Sequence, residues 1–142
     1  MSTAIGCMAL MLVGVLSQQP AAPAPASAPL NFEFFKTEVQ PIFLKKRPGH
    51  ARCISCHGQT TPLRLQPLAA GRTTWTDEES RKNFQAIQRV VAPGNLKSRL
   101  LVHALEERAG GDFYHNGGKH FASQNDPEWL TLKAWVLGQT TK

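Results

Sequence analysis

Cys53, Cys56 and His57 stand in the order Cys-x-x-Cys-His, the spacing by which c-type haem is attached to a chain. Each thiol can add to one edge substituent of the macrocycle. The adjoining imidazole then lies beneath the metal, where a ring nitrogen can bond iron from the proximal side. Two other chemistries use similar residues. A structural zinc site takes four protein ligands, and there is no second Cys pair, the third cysteine being Cys7 near the start. A thioredoxin-like pair belongs in a βαβ context, which the flanking sequence does not supply. The spacing therefore predicts covalent haem.

The elements that must position this motif read as helices joined by Gly- and Pro-rich loops. Asn31 can cap a first helix on which Phe32, Phe35, Val39 and Phe43 share a face. Pro41 predicts an end or a kink nearby. Lys45-Lys46-Arg47-Pro48-Gly49 is a basic loop entering the haem motif, either a solvated turn or a site for docking or for haem propionates. Pro62-Leu63-Arg64-Leu65-Gln66-Pro67 reads as an extended segment along the haem edge. Thr76-Asp77-Glu78-Glu79 is a capping box opening a helix with Phe84, Ile87, Val90 and Val91 on its apolar side, stopped by Pro93-Gly94. Ser98 can cap a short helix carrying Leu100, Leu101 and Leu105. After a loop rich in Gly and His, from Gly110 to Gln124, Asp126 caps a last helix with Pro127 at its first position. Trp129, Leu132, Trp135 and Val136 form its apolar side and Gly138 closes it. No alternating apolar run is long enough for a sheet. The expectation is an all-α domain wrapped around one haem.

The chain of 142 residues divides into three parts. Residues 1–17 contain an apolar run, Ala4 to Leu16, of a length that suits the hydrophobic region of an export signal and is short for a membrane span. The basic n-region is missing, because Met1 to Gly6 holds no Lys or Arg; a short retained anchor is the alternative. Cys7 precedes most of the run, whereas a lipid-bearing cysteine should follow it. Residues 18–29, rich in Pro and Ala, form a semi-rigid spacer without core-forming side chains. Residues 30–142 fold, and a domain of that size gains much from a covalent staple. All charged side chains lie at or beyond Glu33, with a formal net charge of +6. That balance suits acidic protein partners or anionic surfaces. Nucleic acid is disfavoured, since Lys and Arg are scattered and no nucleic-acid motif accompanies them.

In order along the chain come Val39-x-Pro41-Ile42-Phe43, Cys53-x-x-Cys56-His57-Gly58, Leu63-Arg64-Leu65, Val91-x-Pro93-Gly94, Ser98-Arg99-Leu100-Leu101 and a closing helix with Leu132 and Trp135. This order resembles a class I-type monohaem cytochrome c domain, similar to single-haem domains of exported planctomycete and acidobacterial proteins. The resemblance covers most of Leu30 to Gly138, and only the haem motif within it is strongly specific. It implies that the first and last helices cross beside the haem, with Phe35 or Phe43 against Trp135. It also implies a sixth iron ligand from the loop before the last helix, commonly Met. Here the chain departs, because Met1, Met8 and Met11 all lie in the leader. His50 is tethered beside the attachment edge, and His103 reads as an ordinary packed or surface histidine. Laying the family loop over His115-Asn116-Gly117-Gly118 favours His115 as the ligand, with His120 as the alternative and an open position as a third case.

The ligand set, more than the fold, decides function. Bis-histidine coordination leaves no easy place for oxygen or peroxide and lacks the thioether that raises the potential. The expectation is an exported, non-enzymatic carrier of single electrons at low potential, periplasmic or membrane-tethered, serving redox protein partners. Alternatives are a haem sensor or peroxidase-like protein with a labile sixth ligand, and a haem subunit of a larger redox assembly. Lys45, Arg47, Arg52 and Arg64 cluster in sequence near the haem motif, either to draw an acidic partner or to neutralise propionates and face water.

Overall fold

The computed structural model describes residues 29–59 and 61–139; the expected leader and spacer residues 18–28 lie outside the described residues. The described part is all-α. No strand occurs in it, and a single isolated parallel bridge pairs Leu105 with Phe121.

Asn31 caps α1 (Phe32–Phe34), its side-chain oxygen accepting the Phe34 N–H at 2.8 Å. The chain continues through a π-helical turn (Phe35–Val39) into α2 (Gln40–Leu44). Pro41 thus does not end the helix, which runs on to Leu44. Proline has no N–H to give the preceding turn, and the widened turn before it absorbs the mismatch: the Gln40 N–H reaches back five residues to the Phe35 carbonyl. In this wide stretch the consecutive Phe34 and Phe35 are both buried, with Val39, Ile42 and Phe43 following. The buried face is broader than the expected stripe.

The Cys-x-x-Cys-His stretch forms α3 (Cys53–His57). Thr76 opens α4 (Asp77–Ile87) with both bonds of the capping box, the Thr76 hydroxyl to the Glu79 N–H and the Glu79 carboxylate to the Thr76 N–H. This helix is shorter than its apolar pattern predicts. The Arg89 and Val90 N–H groups bond three residues back, to Ala86 and Ile87, and bonds of that kind tighten and end a helix. Val91 is nevertheless buried. Next is α5 (Arg99–Val102). Ser98 sits at its cap position, but its hydroxyl accepts the Ala92 N–H at 3.1 Å instead of capping the first turn. A 3-10 turn, Glu107–Ala109, precedes the Gly- and His-rich loop.

α6 (Pro127–Val136) starts as its sequence predicts, with Asp126 accepting from the Glu128 and Trp129 N–H groups and Pro127 in the first turn. Trp129, Leu132, Trp135 and Val136 are buried. The two indoles also bond outward, Trp129 Nε1 to the Leu101 carbonyl and Trp135 Nε1 to the Asn31 carbonyl, which satisfies polar groups that burial would otherwise penalise. Phe35 meets Trp135 with ring centroids 5.5 Å apart, and Phe84 of α4 packs on both. The first and last helices therefore meet through the π-helical turn, which fixes one wall of the cleft described next.

Candidate functional site

On α3 the side chains of Cys53 and Cys56 lie one turn apart and share a side of the helix. Gly58 follows because a Cβ there would come within 2.8 Å of the Ile54 carbonyl oxygen. Cys53 borders an apolar cleft whose walls include Phe43, Leu63, Leu100 and Leu132. Cys56 borders an adjoining space with Tyr114 and Asn116. Cys53, His57 and His115 border both, so the two are parts of one cleft. Both thiols are free. Burial pushes the Cys53 thiol above its ordinary pKa, against the positive charge of Arg47. That thiol stays protonated at neutral pH.

His57 is held from behind. Its Nδ1 donates to the Leu63 carbonyl at 2.9 Å, with the Thr61 hydroxyl also at 3.1 Å, and its own carbonyl accepts the Leu65 N–H. The segment supplying these groups lies outside any helix, with Leu63 and Leu65 buried and Arg64 exposed between them. Asn83 of α4 anchors that segment by accepting the Gln66 N–H at 2.6 Å. Across the cleft, His115 bonds through Nδ1 to the Gly118 carbonyl at 2.6 Å. Gly118 has φ of +78°, a conformation available to glycine at little cost. The loop is pinned where the His120 and Phe121 N–H groups both bond to the Ala104 carbonyl. Burial lowers the His115 pKa below its usual value, keeping the ring neutral.

His57 and His115 lie with ring centroids 6.3 Å apart and planes within 16° of parallel. Each has Nδ1 on a main-chain carbonyl, which leaves Nε2 as the acceptor nitrogen. Two nitrogen–metal bonds of roughly 2 Å, with roughly 1 Å more from each nitrogen to its ring centre, separate such centroids by about 6 Å. The separation matches that of two axial imidazoles on one metal, with both thiols at the same cleft. No three His, Cys, Asp or Glu side chains converge on a bare metal ion among the described residues. A macrocycle brings four nitrogens of its own and asks the protein for only two.

All five histidines of the chain form one connected group. His103 meets His115 edge-on at 4.7 Å, His115 and His120 are 6.0 Å apart, and His120 packs on His50 at 4.6 Å. His120 is buried, and burial first, then the charges of His50 and Arg47, lowers its pKa to about 4. His103 borders the cleft and bonds through Nδ1 to Asp112 at 2.8 Å, with the Arg99 guanidinium 3.3 Å from its ring nitrogens. Only the recurrence of histidine at 103, 115 and 120 around a glycine-rich loop signals this. Of the readings open for the basic loop, a solvated turn does not hold for Arg47. It is buried, pairs with Glu128, and lies over the Phe121 ring at 5.1 Å. Lys45 pairs with the same carboxylate, leaving Arg52 and Arg64 as the exposed arginines of that cluster.

No family model, curated protein or solved structure matches this chain.

Proposed function

We propose that the chain is a monohaem c-type cytochrome domain that carries single electrons. Cys53 and Cys56 would hold haem c covalently, with His57 and His115 at its two axial positions. The observation that carries this reading is the near-parallel pair of imidazoles 6.3 Å apart across an apolar cleft bordered by the two thiols. When bound, the group supplies one-electron Fe(III)/Fe(II) chemistry. The residues themselves bind and orient. The Leu63 and Gly118 carbonyls fix both rings, while Phe43, Leu63, Leu100 and Leu132 keep water from the cleft. Closing both axial positions with histidine favours a low potential and no substrate turnover.

Export follows from the same reading, because haem attachment of this kind takes place outside the bacterial cytoplasm; residues 1–17 would direct it and 18–29 would act as tether or tail. Among the described residues no helix is long and apolar enough to cross a membrane. The basic balance of the chain suits acidic redox partners, one of which could be a larger assembly.

The test is the optical spectrum of His115→Ala produced with its haem. Conversion from low to high spin supports the assignment, and an unchanged low-spin spectrum removes His115 as the ligand. A second reading draws on the Arg99, His103 and Asp112 cluster, a possible acid–base apparatus if the His115 bond is labile. Rapid carbon monoxide binding by the reduced, unmodified protein would favour that sensor or peroxidase-like reading.

A further inference from the structure

The bond from His115 Nδ1 to the Gly118 carbonyl holds one atom of the ring, and the imidazole can still turn about it. Two other rings stand steeply inclined to His115. His103 has its centroid 4.7 Å away with planes at 68°, and His120 lies at 6.0 Å with planes at 65°. His103 is the closer of the two, and it is tied down from several sides. Its Nδ1 donates to the Asp112 carboxylate at 2.8 Å. Asp112 is itself folded back onto α5, its N–H bonding the Val102 carbonyl at 2.9 Å. Lys119 Nζ clasps the same pair of residues, donating to the His103 and Asp112 carbonyls. These bonds fix where the His103 ring stands whatever occupies the cleft. Near the His115 Cε1 atom lies Gly117, where a Cβ would approach to 3.2 Å, so backbone bounds the ring there.

We propose that His103 is a positioning residue for His115: packed against that ring and tethered by Asp112, it sets the rotation of the imidazole about its bond to the metal and keeps the two axial planes close to parallel. The proposal deepens the haem reading and rests on it. The planes of His57 and His115 lie within 16° of parallel. Neighbours that do not touch the metal orient the imidazole that does, and tune the metal through it. Plane angle matters because parallel imidazoles on opposite faces of iron act on the same d orbital, while perpendicular ones act on different orbitals. An alanine at 103 leaves a gap where the ring stood, and His115 can turn into it without giving up its bond to iron.

The experiment is electron paramagnetic resonance of the oxidised, haem-loaded protein, whose low-spin ferric signal reports the angle between the axial planes. Near-parallel planes give a rhombic signal; near-perpendicular planes give one dominated by a single large g value. The native protein should be rhombic. His103→Ala should remain low spin and move its largest g value upward. Asp112→Ala unties the ring without removing it, and should move the signal the same way by less. His103→Phe restores a flat ring at that place and should return most of the native signal, which a general loosening of the loop would not allow. Native signals in both His103→Ala and Asp112→Ala overturn the proposal; if His103→Ala does not load haem, the Asp112→Ala signal carries the test. A shift in His103→Phe as large as in His103→Ala overturns it too, as does a high-spin His103→Ala, where the residue would hold the bond and not the angle. A native protein with no low-spin ferric signal fails the haem reading, and this proposal falls with it, so the two failures are told apart.

Discussion

Trp135 donates its indole N–H to the main-chain carbonyl of Asn31 at 2.8 Å, the residue whose side chain caps the first helix. One bond thus ties the last turns of α6 to the start of α1, and the tilted contact of Phe35 with Trp135 adds apolar contact beside it. Trp135→Ala should cost about 3–5 kcal/mol, as large-to-small core substitutions do. Trp135→Phe should keep most of the packing and lose about 1 kcal/mol through the missing bond. Chemical denaturation of the haem-loaded variants checks both, and equal stability of the two variants would show that the ring rather than the bond is irrelevant.

Asn83 is fully buried and holds the segment 63–66 by its bond to the Gln66 N–H. That segment carries the Leu63 carbonyl on which His57 rests. Asn83→Ala leaves the Gln66 N–H without its partner, a loss of about 1–3 kcal/mol. The loosened segment should also broaden the NMR signal of the His57 Nδ1 proton, whereas a substitution of exposed Arg64 should not.

Gly111 lies where any Cβ would overlap the Leu105 carbonyl, next to the bridge of Leu105 with Phe121. Gly111→Ala must therefore displace backbone, and overpacking of this kind costs about 1–3 kcal/mol. The displaced strand of loop carries Asp112 and leads to His115. Hydrogen exchange at the Glu106 and Phe121 amides, both bonded across this junction, should accelerate in the variant; unchanged exchange would show that the loop yields without disturbing it.

The capping box gives a pH dependence. Hydrogen bonds from Thr76 lower the Glu79 pKa in the folded protein. A carboxylate with a depressed folded pKa adds stability that is complete above its unfolded value of about 4.3 and disappears as pH falls through the folded one. The denaturation midpoint of the native protein should exceed that of Glu79→Gln by a constant margin from pH 7 to pH 5, and the margin should close below that. A margin that grows on acidification contradicts the sign.

What was legible in the sequence is what is local. Asp126, Pro127 and Gly138 mark the bounds of α6 within a few residues of where they act, and Thr76 with Glu79 does the same for the start of α4. The spacing of Cys53, Cys56 and His57 needs only one helical turn. What was not legible depends on partners far along the chain. Ser80 and Asn83 are polar yet buried on the face that carries Ile87, and their partners Gln40 and Gln66 lie far from them along the chain. Arg47 looks like part of a basic turn until Glu128 comes up beside it. Ser98 has the composition of a cap, but the Ala92 N–H competes for its hydroxyl. The early end of α4 comes from turn bonds after Ile87, to which the apolar pattern through Val91 is blind. Nothing near His103 in sequence reveals that Asp112 folds back onto it.

Whether haem is covalent on Cys53 and Cys56 is decided by the intact mass of the natively produced, denatured chain after thiol alkylation. One macrocycle added to the polypeptide, with no alkylation at Cys53 or Cys56, is the expected result. A bare polypeptide with both thiols alkylated would contradict it.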